Sequence, residues 1–235
     1  MWLAFPLYAA GGLTFPIMAY FVVEGYKHTS NLGRYMLRLL VFGTIAVPFH
    51  ILALGVPLGG GNPLIYPWLN IMFSINLGLI VLNLYDKIRT RALFWILYVV
   101  VITPISFIFF EWSFIGITMV LLYYIIKNEN TRRIVPPLFA AAFQFIFFFL
   151  ATFTTQAMQD FGDIGLVTNP DFLRVMPTFG IGCLLAAFLI KGYNGERGKR
   201  MKWLFYTFYP AHLAVLAIVA LALGLIDLSV FGLSI

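Results

Sequence analysis

Charged residues are scarce in this sequence. Only 10% of its 235 residues are Asp, Glu, Lys or Arg, whereas 62% are hydrophobic. A soluble domain carries about 25% charged residues, so the composition excludes a soluble globular protein and indicates a membrane protein. The sequence has a single cysteine, Cys183. This excludes an intramolecular disulfide, and the apolar neighbours of Cys183 indicate a small packing residue.

The motifs of soluble enzymes are missing as well. The sequence contains no P-loop, no GxGxxG, no GxSxG, no HExxH and no cysteine–histidine cluster of zinc spacing, so we expect no metal. The glycine-rich stretch at 55–61 has no following lysine and is not a nucleotide cradle. The net charge of +6 has a topological explanation, given below, and we therefore expect no nucleic-acid partner.

Long apolar runs dominate instead. A helix needs about 20 apolar residues to cross a lipid bilayer, and several runs approach this length. They cover residues 2–26, 35–56, 69–85, 92–110, 112–127, 135–158, 172–190 and 203–226. The sequence therefore predicts an all-α fold, a polytopic transmembrane helix bundle of about 8 spans that forms a single integral membrane domain over residues 1–235.

The basic residues alternate between the predicted loops. All but one of the 15 Lys and Arg residues lie in or beside the first, third, fifth and seventh loops, and the exception is Arg174. Basic loops stay on the cytoplasmic side of a membrane. The alternation therefore predicts a multi-pass protein whose basic loops are cytoplasmic and whose termini are both outside.

The start of the sequence does not fit a targeting signal. It enters the first apolar run as MWLAFPLYAAGG, without a basic or polar lead. A secretory signal peptide has a basic n-region and a cleavage site, and neither is found here. We expect either that the first helix inserts as a reverse anchor or that a further helix precedes residue 1.

His212 is the most unusual residue of the last apolar run. It lies about nine residues into that run, which places it near the middle of a bilayer. An ionisable group at this depth is costly, so a functional role is the first hypothesis. The alternative is a histidine that bonds to a neighbouring helix and only supports packing.

Two arginines, Arg34 and Arg38, are four residues apart at the start of the second run and share one helix face. Because guanidinium groups bind phosphate oxygens through two parallel hydrogen bonds, the pair predicts a phosphate site. The alternative is an ordinary anchor at the basic end of a span. Glu24 lies one turn before Lys27 and His28, where helical pairing is expected.

Three further polar positions stand near or within apolar runs. His50 lies near the outer end of the second run, and Asn76 lies in the third, where an asparagine typically bonds across helices. Glu111 lies in the short turn between the fourth and fifth runs. The sequence leaves two interpretations open for it, a carboxylate at the lipid interface or a buried acid that faces the bundle.

Four segments of this sequence, in this order and spacing, resemble the TraX family. They are TFPIMAYFVVEGYKHTSNLGRYMLRLLVFGTIAVPFH, LNIMFSINLGLIVL, EWSFIGITMVLLYY and GERGKRMKWLFYTFYPAHLAVL. The resemblance covers roughly residues 9–222 and is most specific in FPIMAYFVVEGY and FYPAHL. TraX proteins are bacterial integral membrane proteins named for the acetylase of the F-type pilin N-terminus. They are similar to the wider transmembrane acyltransferase superfamily.

The resemblance implies an acyltransferase of the bacterial inner (cytoplasmic) membrane. Such an enzyme moves an acetyl group from acetyl-CoA to an amine or hydroxyl acceptor, which could be pilin or a cell-surface polymer. His212 and Glu24 are then the catalytic positions, and Arg34 and Arg38 are functional too. Two departures bear on this: the family usually begins with one more helix that carries an Asp-His pair, and Gly12-Leu13 stands where Gly-Arg is common.

The chemistry of acetyl transfer extends this set. Coenzyme A carries several phosphate charges, so we expect its nucleotide end on the cations Arg34, Arg38, Lys199, Arg200 and Lys202. Its pantetheine arm then reaches about 15–20 Å into the bundle, where His212 acts as general base or oxyanion donor. The further candidates for contact with the substrate or oxyanion are Tyr206, Tyr209, Asn76 and His50.

Two other functions remain open at this stage. The intramembrane polar groups could line the pathway of a small-molecule transporter or lipid flippase. The protein could also be a non-catalytic assembly protein for surface fibres. The sequence does not identify the acceptor, which could be a pilin amine, a cell-wall polymer, a glycan hydroxyl or a lipid head group.

Overall fold

The computed structural model describes residues 4–55, 69–158, 170–196 and 202–224. Helices account for almost all of these residues, which confirms the predicted all-α class. The α-helices are α1 (Ala4–His28), α2 (Leu32–His50), α3 (Ile71–Lys87), α4 (Arg91–Leu97), α5 (Thr103–Phe109), α6 (Ser113–Ile125), α7 (Glu129–Met158), α8 (Pro170–Lys191) and α9 (Lys202–Ala222). Two π-helical turns, Ile51–Gly55 and Tyr98–Ile102, follow α2 and α4.

Within the described ranges, three stretches are long and apolar enough to cross a membrane: Leu32–Ala53, Glu129–Leu150 and Trp203–Ala222. Shorter apolar helices cover Arg91–Phe107, Ser113–Ile125 and Pro177–Lys191. These stretches bear out the prediction of a helical membrane protein. Large apolar side chains such as Phe188 and Val100 are exposed along them, as expected where lipid replaces water as the solvent.

The chain divides into two compact units. The first unit contains α1, α7, α8 and α6 from residue 115, and the second contains α2 to α5 and α9. In the first unit, α8 packs along both α1 and α7. In the second unit, α2 packs against both α3 and α9.

Local sequence explains how α2 begins and ends. Asn31 is its N-cap, and the side-chain oxygen accepts a hydrogen bond of 2.9 Å from the Arg34 amide, which satisfies one of the unpaired amides of a first turn. Near the other end, Pro48 has no amide hydrogen to donate. Directly after α2 the chain widens into the π-helical turn Ile51–Gly55. His50 therefore lies where the α-helix meets this turn.

Proline has a similar effect between α4 and α5. Pro104 lies in the first turn of α5 and cannot donate to the carbonyls before it. The preceding turn, Tyr98–Ile102, is π-helical, and the Thr103 hydroxyl donates to the Tyr98 carbonyl over 3.0 Å. The chain therefore stays helical from Arg91 to Phe109, and the amide and the hydroxyl of Thr103 both donate to the Tyr98 carbonyl at the π-helical turn.

The turn at Phe110–Trp112 separates α5 from α6, as the sequence predicts for the fourth and fifth runs. It is fixed by an isolated parallel β-bridge between Leu69 and Phe110. Leu69 donates to the Phe109 carbonyl and accepts from the Glu111 amide, both over 3.0 Å. The bridge therefore holds Glu111 next to the first turn of α3, and this determines the geometry of the site described below.

Glycines bring α1 and α8 into backbone contact in the first unit. A Cβ added to Gly182 would meet the Ala9 carbonyl oxygen, and one added to Gly12 would meet the Phe179 carbonyl oxygen. The Cys183 thiol also donates to the Gly12 carbonyl over 3.3 Å. Small residues allow such close approach between membrane helices, so these two glycines determine the spacing of the pair.

Gly182→Ala should therefore destabilise the first unit by about 1–3 kcal/mol, because the added methyl meets backbone that cannot rotate away. The matched control is Gly192→Ala, where the nearest atom to an added Cβ is 3.5 Å away. The measurement is the thermal midpoint of the detergent-solubilised protein. Equal midpoints for the two variants would contradict the proposed contact.

Candidate functional site

Glu111 is the centre of a polar cluster in the second unit. Its Oε2 accepts a hydrogen bond of 3.0 Å from the Ile71 amide, in the first turn of α3. The Tyr209 hydroxyl of α9 donates a further hydrogen bond to the same carboxylate. Beside it, Asn70 caps α3 through the Met72 amide and donates to the Gly43 carbonyl of α2. One carboxylate therefore connects α3 with α9, and Asn70 connects the same end of α3 with α2.

His50 approaches Glu111 from the end of α2. Its side chain is only 1% exposed, and its Nδ1 is 4.0 Å from Glu111 Oε2. This distance exceeds a hydrogen bond. A buried imidazole beside a half-buried carboxylate forms an arrangement that can hold and move a proton.

Burial also changes the acidity of Glu111, which lies in the turn outside the helices. It raises the pKa of this carboxyl to about 7, although the hydrogen bonds from the Ile71 amide and the Tyr209 hydroxyl act in the opposite direction. At neutral pH the group therefore exists in both protonation states. A pKa near the working pH is suited to general acid–base chemistry.

His212 lies one turn after Tyr209 on α9. The two rings are 5.2 Å apart between centroids, and the His212 ring also stacks on Phe208 at 5.3 Å. His212 is half-buried, and its Nδ1 is 3.1 Å from the Phe208 carbonyl. A carbonyl only accepts, so a neutral His212 that makes this bond carries its proton on Nδ1. Nε2 then keeps its lone pair, as a general base requires.

The structure therefore brings three of the predicted site residues together around Glu111. Tyr209 contacts Glu111 and His212, and His50 approaches Glu111 from the opposite helix. For Glu111, the sequence left open whether the carboxylate lies at the lipid interface or faces the bundle. Its short turn gave no indication that α3, α2 and α9 converge on it.

Arg38 and Tyr206 form a second polar group on the same two helices. Arg38 Nε is 3.4 Å from the Tyr206 hydroxyl, and its guanidinium carbon is 5.7 Å from the centre of the Tyr206 ring. Arg34 lies one turn earlier on α2 and is exposed. The predicted arginine pair therefore exists on one face, with a tyrosine of α9 beside it. Lys202 begins α9, and Lys199 and Arg200 lie outside the described residues.

Asn76 connects two helices. Its side-chain amide donates to the Met36 carbonyl of α2 over 3.2 Å, and the residue is buried. This is the cross-helix bond that the sequence favours for an intramembrane asparagine. A direct contact between Asn76 and the substrate stays a prediction.

Glu24 belongs to an ion-pair network in the first unit. Its Oε1 lies 2.8 Å from Arg132 Nη2 and 3.3 Å from Lys27 Nζ, and His28 Nε2 is 3.9 Å from Oε2. The same Arg132 nitrogen is 2.8 Å from Glu129 Oε2, and Tyr20 donates to Glu129 Oε1 over 2.9 Å. Arg132 is only 6% exposed, so two carboxylates compensate one buried guanidinium.

Arg133 extends this network to the end of α8. It binds Glu129 Oε1 through Nε at 2.9 Å, and its Nη1 donates to the carbonyls of Lys191 and Tyr193. Such a donor satisfies carbonyls that the end of a helix leaves unpaired. The network thus joins α1, α7 and α8, and it places Glu24 in a structural setting. The catalytic role of Glu24 stays a prediction.

Comparison with known proteins gives a family and one short match. The family model described as "TraX protein" matches residues 2–220. The "Probable fimbrial assembly protein FimC, serogroup H1" of Dichelobacter nodosus is 52% identical over 40 residues. That match covers 17% of this chain and only 16% of the relative's length. No solved structure matches the chain.

Arg132→Ala should destabilise the protein by about 1–3 kcal/mol, because it removes the charged hydrogen bonds of a buried guanidinium to Glu24 and Glu129. Lys27→Ala is the matched control, since it removes a more exposed cation from the same carboxylate and should cost about 0–1 kcal/mol. Thermal unfolding in detergent measures both. If the two variants unfold at the same temperature, Arg132 does not organise the network.

Glu111→Gln should alter how stability depends on pH. The folded protein binds the Glu111 proton more tightly than the unfolded chain, whose glutamate pKa is about 4.3. The contribution of this group to stability therefore falls as pH rises from about 4.5 to about 7, and it is constant above that. Gln keeps an oxygen for the Ile71 amide but does not titrate, so the decline should disappear.

The measurement is the thermal midpoint between pH 4.5 and 8.5. His50 faces Glu111 and is itself an ionisable group, so the pair is also compared in a His50→Gln background. Glu196→Gln, at an exposed position, serves as the control. Parallel curves for wild type and Glu111→Gln would show that Glu111 does not carry the raised pKa.

Proposed function

We propose, from the premise that this chain belongs to the TraX family, that it is a membrane-embedded acyltransferase. It moves an acetyl group from acetyl-CoA to an amine or hydroxyl acceptor. The acceptor is a subunit of a surface fibre, such as pilin, or a cell-surface polymer. The protein itself lies in the bacterial inner membrane with its basic loops toward the cytoplasm, as the alternation of charge predicts.

The spacing of two groups along α2 is the observation that supports this function best. Arg38 lies near the start of α2, and His50 ends it. Twelve residues at a rise of 1.5 Å separate the two positions by about 18 Å. This matches the expected reach of about 15–20 Å for a pantetheine arm. An acyl-CoA with its phosphates on Arg34 and Arg38 would therefore present its thioester near His50 and Glu111.

The cluster around Glu111 contains the groups that acetyl transfer needs. The nitrogen or oxygen of the acceptor attacks the thioester carbonyl, the C–S bond breaks, and coenzyme A leaves as the thiol. His212 Nε2 takes the proton from the acceptor and returns it to the leaving sulfur. Tyr209 lies between Glu111 and His212. The negative charge of Glu111 stabilises the imidazolium that forms on His212.

His50 and Tyr209 have a different role in this proposal. Attack on the thioester places negative charge on its carbonyl oxygen, and donors fixed in advance stabilise that charge. His50 supplies an imidazole N–H for this purpose, whereas Tyr209, whose single hydroxyl proton is donated to Glu111, holds that carboxylate in place. His50 is buried beside Glu111, so its ring is held in place before the substrate arrives.

The matching family and the matching relative both support the proposal of a surface-fibre acceptor. The matching family carries the description "TraX protein", and the FimC relative is described as a probable fimbrial assembly protein. Only 16% of that relative is matched, so its assembly role transfers only as a proposal. An acceptor presented at the membrane surface also suits a catalytic cluster at the end of α2 opposite to the arginines.

The three histidines of the chain provide the test. His212→Ala should lower acetyl transfer by about 10²–10⁴-fold, the usual contribution of a general base. His50→Gln should lower it by about 10²–10³-fold, as the loss of an oxyanion donor does. His28→Ala should keep full activity, because His28 is 80% exposed in the other unit.

The assay follows release of coenzyme A from acetyl-CoA by protein reconstituted in vesicles. Acceptors are offered as a panel: a pilin-type peptide with a free N-terminus, a glycan with free hydroxyls, and a lipid amine. Mass spectrometry identifies which acceptor gains an acetyl group. Full activity of His212→Ala would remove His212 from the mechanism. If wild-type protein transfers acetyl to none of these acceptors and does not bind acetyl-CoA, the proposed function is wrong.

A further inference from the structure

An aromatic cluster lies beside the arginine pair in the second unit. Phe42 of α2 stacks on Tyr206 of α9, with ring centroids 5.5 Å apart and an interplanar angle of 20°. The Trp203 ring lies 6.3 Å from Phe42 and 6.4 Å from Tyr206. Trp203 is 62% exposed, whereas Tyr206 is buried. The cluster therefore presents one large aromatic ring outward and supports it with two others.

The cluster and the arginines share the same faces of two helices. Arg34, Arg38 and Phe42 recur every four residues, so they form one stripe along α2. Trp203 and Tyr206 are three residues apart and share one face of α9. Tyr206 contacts both Arg38 and Phe42. The exposed indole therefore lies beside the stripe, and Tyr206 contacts both Trp203 and Arg38.

We propose that Trp203 is the stacking platform for the adenine ring of the acyl-CoA donor, beside a phosphate site formed by Arg34 and Arg38. The inference rests on the proposed function and extends it to a binding subsite. A purine stacks on any exposed aromatic face, and indole offers a large one. Two guanidinium groups at the distance of a helical turn suit the phosphates next to that purine.

The position of Trp203 on α9 distinguishes this role from that of a lipid-facing aromatic residue. Phe205 is more exposed, at 71%, but it is two residues farther along and points about 200° around the helix. It therefore does not share the face that Tyr206 presents to Arg38. Interfacial tryptophans anchor many membrane helices, and such an anchor needs no arginine pair or supporting ring stack beside it.

The experiment compares two ligands that differ in the adenine nucleotide. Coenzyme A and 4′-phosphopantetheine are titrated against purified protein in nanodiscs. Trp203→Ala should raise the Kd of coenzyme A about tenfold, in line with the loss of one base–aromatic stack. It should leave the Kd of 4′-phosphopantetheine unchanged, because that fragment has no purine. Trp203→Phe should retain most of the affinity.

Two controls separate stacking from folding and charge. Phe205→Ala removes an exposed aromatic ring from another face and should leave both affinities unchanged. Arg38→Gln should weaken coenzyme A binding as well, and the weakening should diminish at high salt, as an ionic contact requires. Each variant is first compared with wild type in thermal midpoint without ligand, and Trp203→Leu replaces Trp203→Ala if the alanine variant unfolds.

The outcomes separate the inference from the proposed function. If wild type binds coenzyme A and the Trp203 variants bind it equally well, the indole is an interfacial anchor only and the inference is wrong. An equal loss of affinity for both ligands would also overturn it, since the effect would then not concern adenine. If wild type binds neither ligand, the proposed function fails and the inference fails with it.

Discussion

The compensation of ionisable groups in apolar surroundings is the constraint on which this structure depends. A buried charge is costly unless a partner and hydrogen bonds offset the loss of water. In the first unit, Arg132 is the buried charge, and Glu24 of α1 and Glu129 of α7 compensate it. Arg133 then binds Glu129 and the carbonyls at the end of α8. The pairing of charges therefore also determines which helix ends meet.

In the second unit, the ionisable group that needs hydrogen-bond partners is the carboxyl group of Glu111. Glu111 accepts from the first turn of α3 and from Tyr209 of α9, and it faces His50 of α2. These contacts stabilise the helix ends, and burial at the same time raises the pKa of Glu111 to about 7. Glu111, which accepts a hydrogen bond from an amide at the start of α3, thus also has a pKa suited to proton transfer. A structural role and an acidity suited to proton transfer therefore coincide in one side chain.

Proline and glycine adapt apolar helices to these polar contacts. Pro48 precedes the π-helical turn after His50, and Pro104 follows the one before α5. Each proline lacks the amide hydrogen that would continue the regular α-helical hydrogen bonds, and a π-helical turn lies next to each of them. Gly12 and Gly182 have the opposite effect, because they allow α1 and α8 to touch along their backbones. Together these residues decide where α-helices of similar composition stop and how closely they pack.

The composition and the lengths of the apolar runs determined the membrane class, the all-α fold and the break at Glu111. The family-specific segments determined membership of the TraX family. These features depend on local sequence, because hydrophobic length and helix punctuation act within a few turns. The tertiary structure alone decided the partners. In the sequence Arg132 is one more basic loop residue, but in the structure it is buried and pairs with Glu24 of α1. Glu111 meets the first turn of α3 only because the Leu69–Phe110 bridge brings it there. Pairings between residues 40 or more positions apart leave no periodic trace in the sequence, since only the packing of helices against one another brings such side chains together.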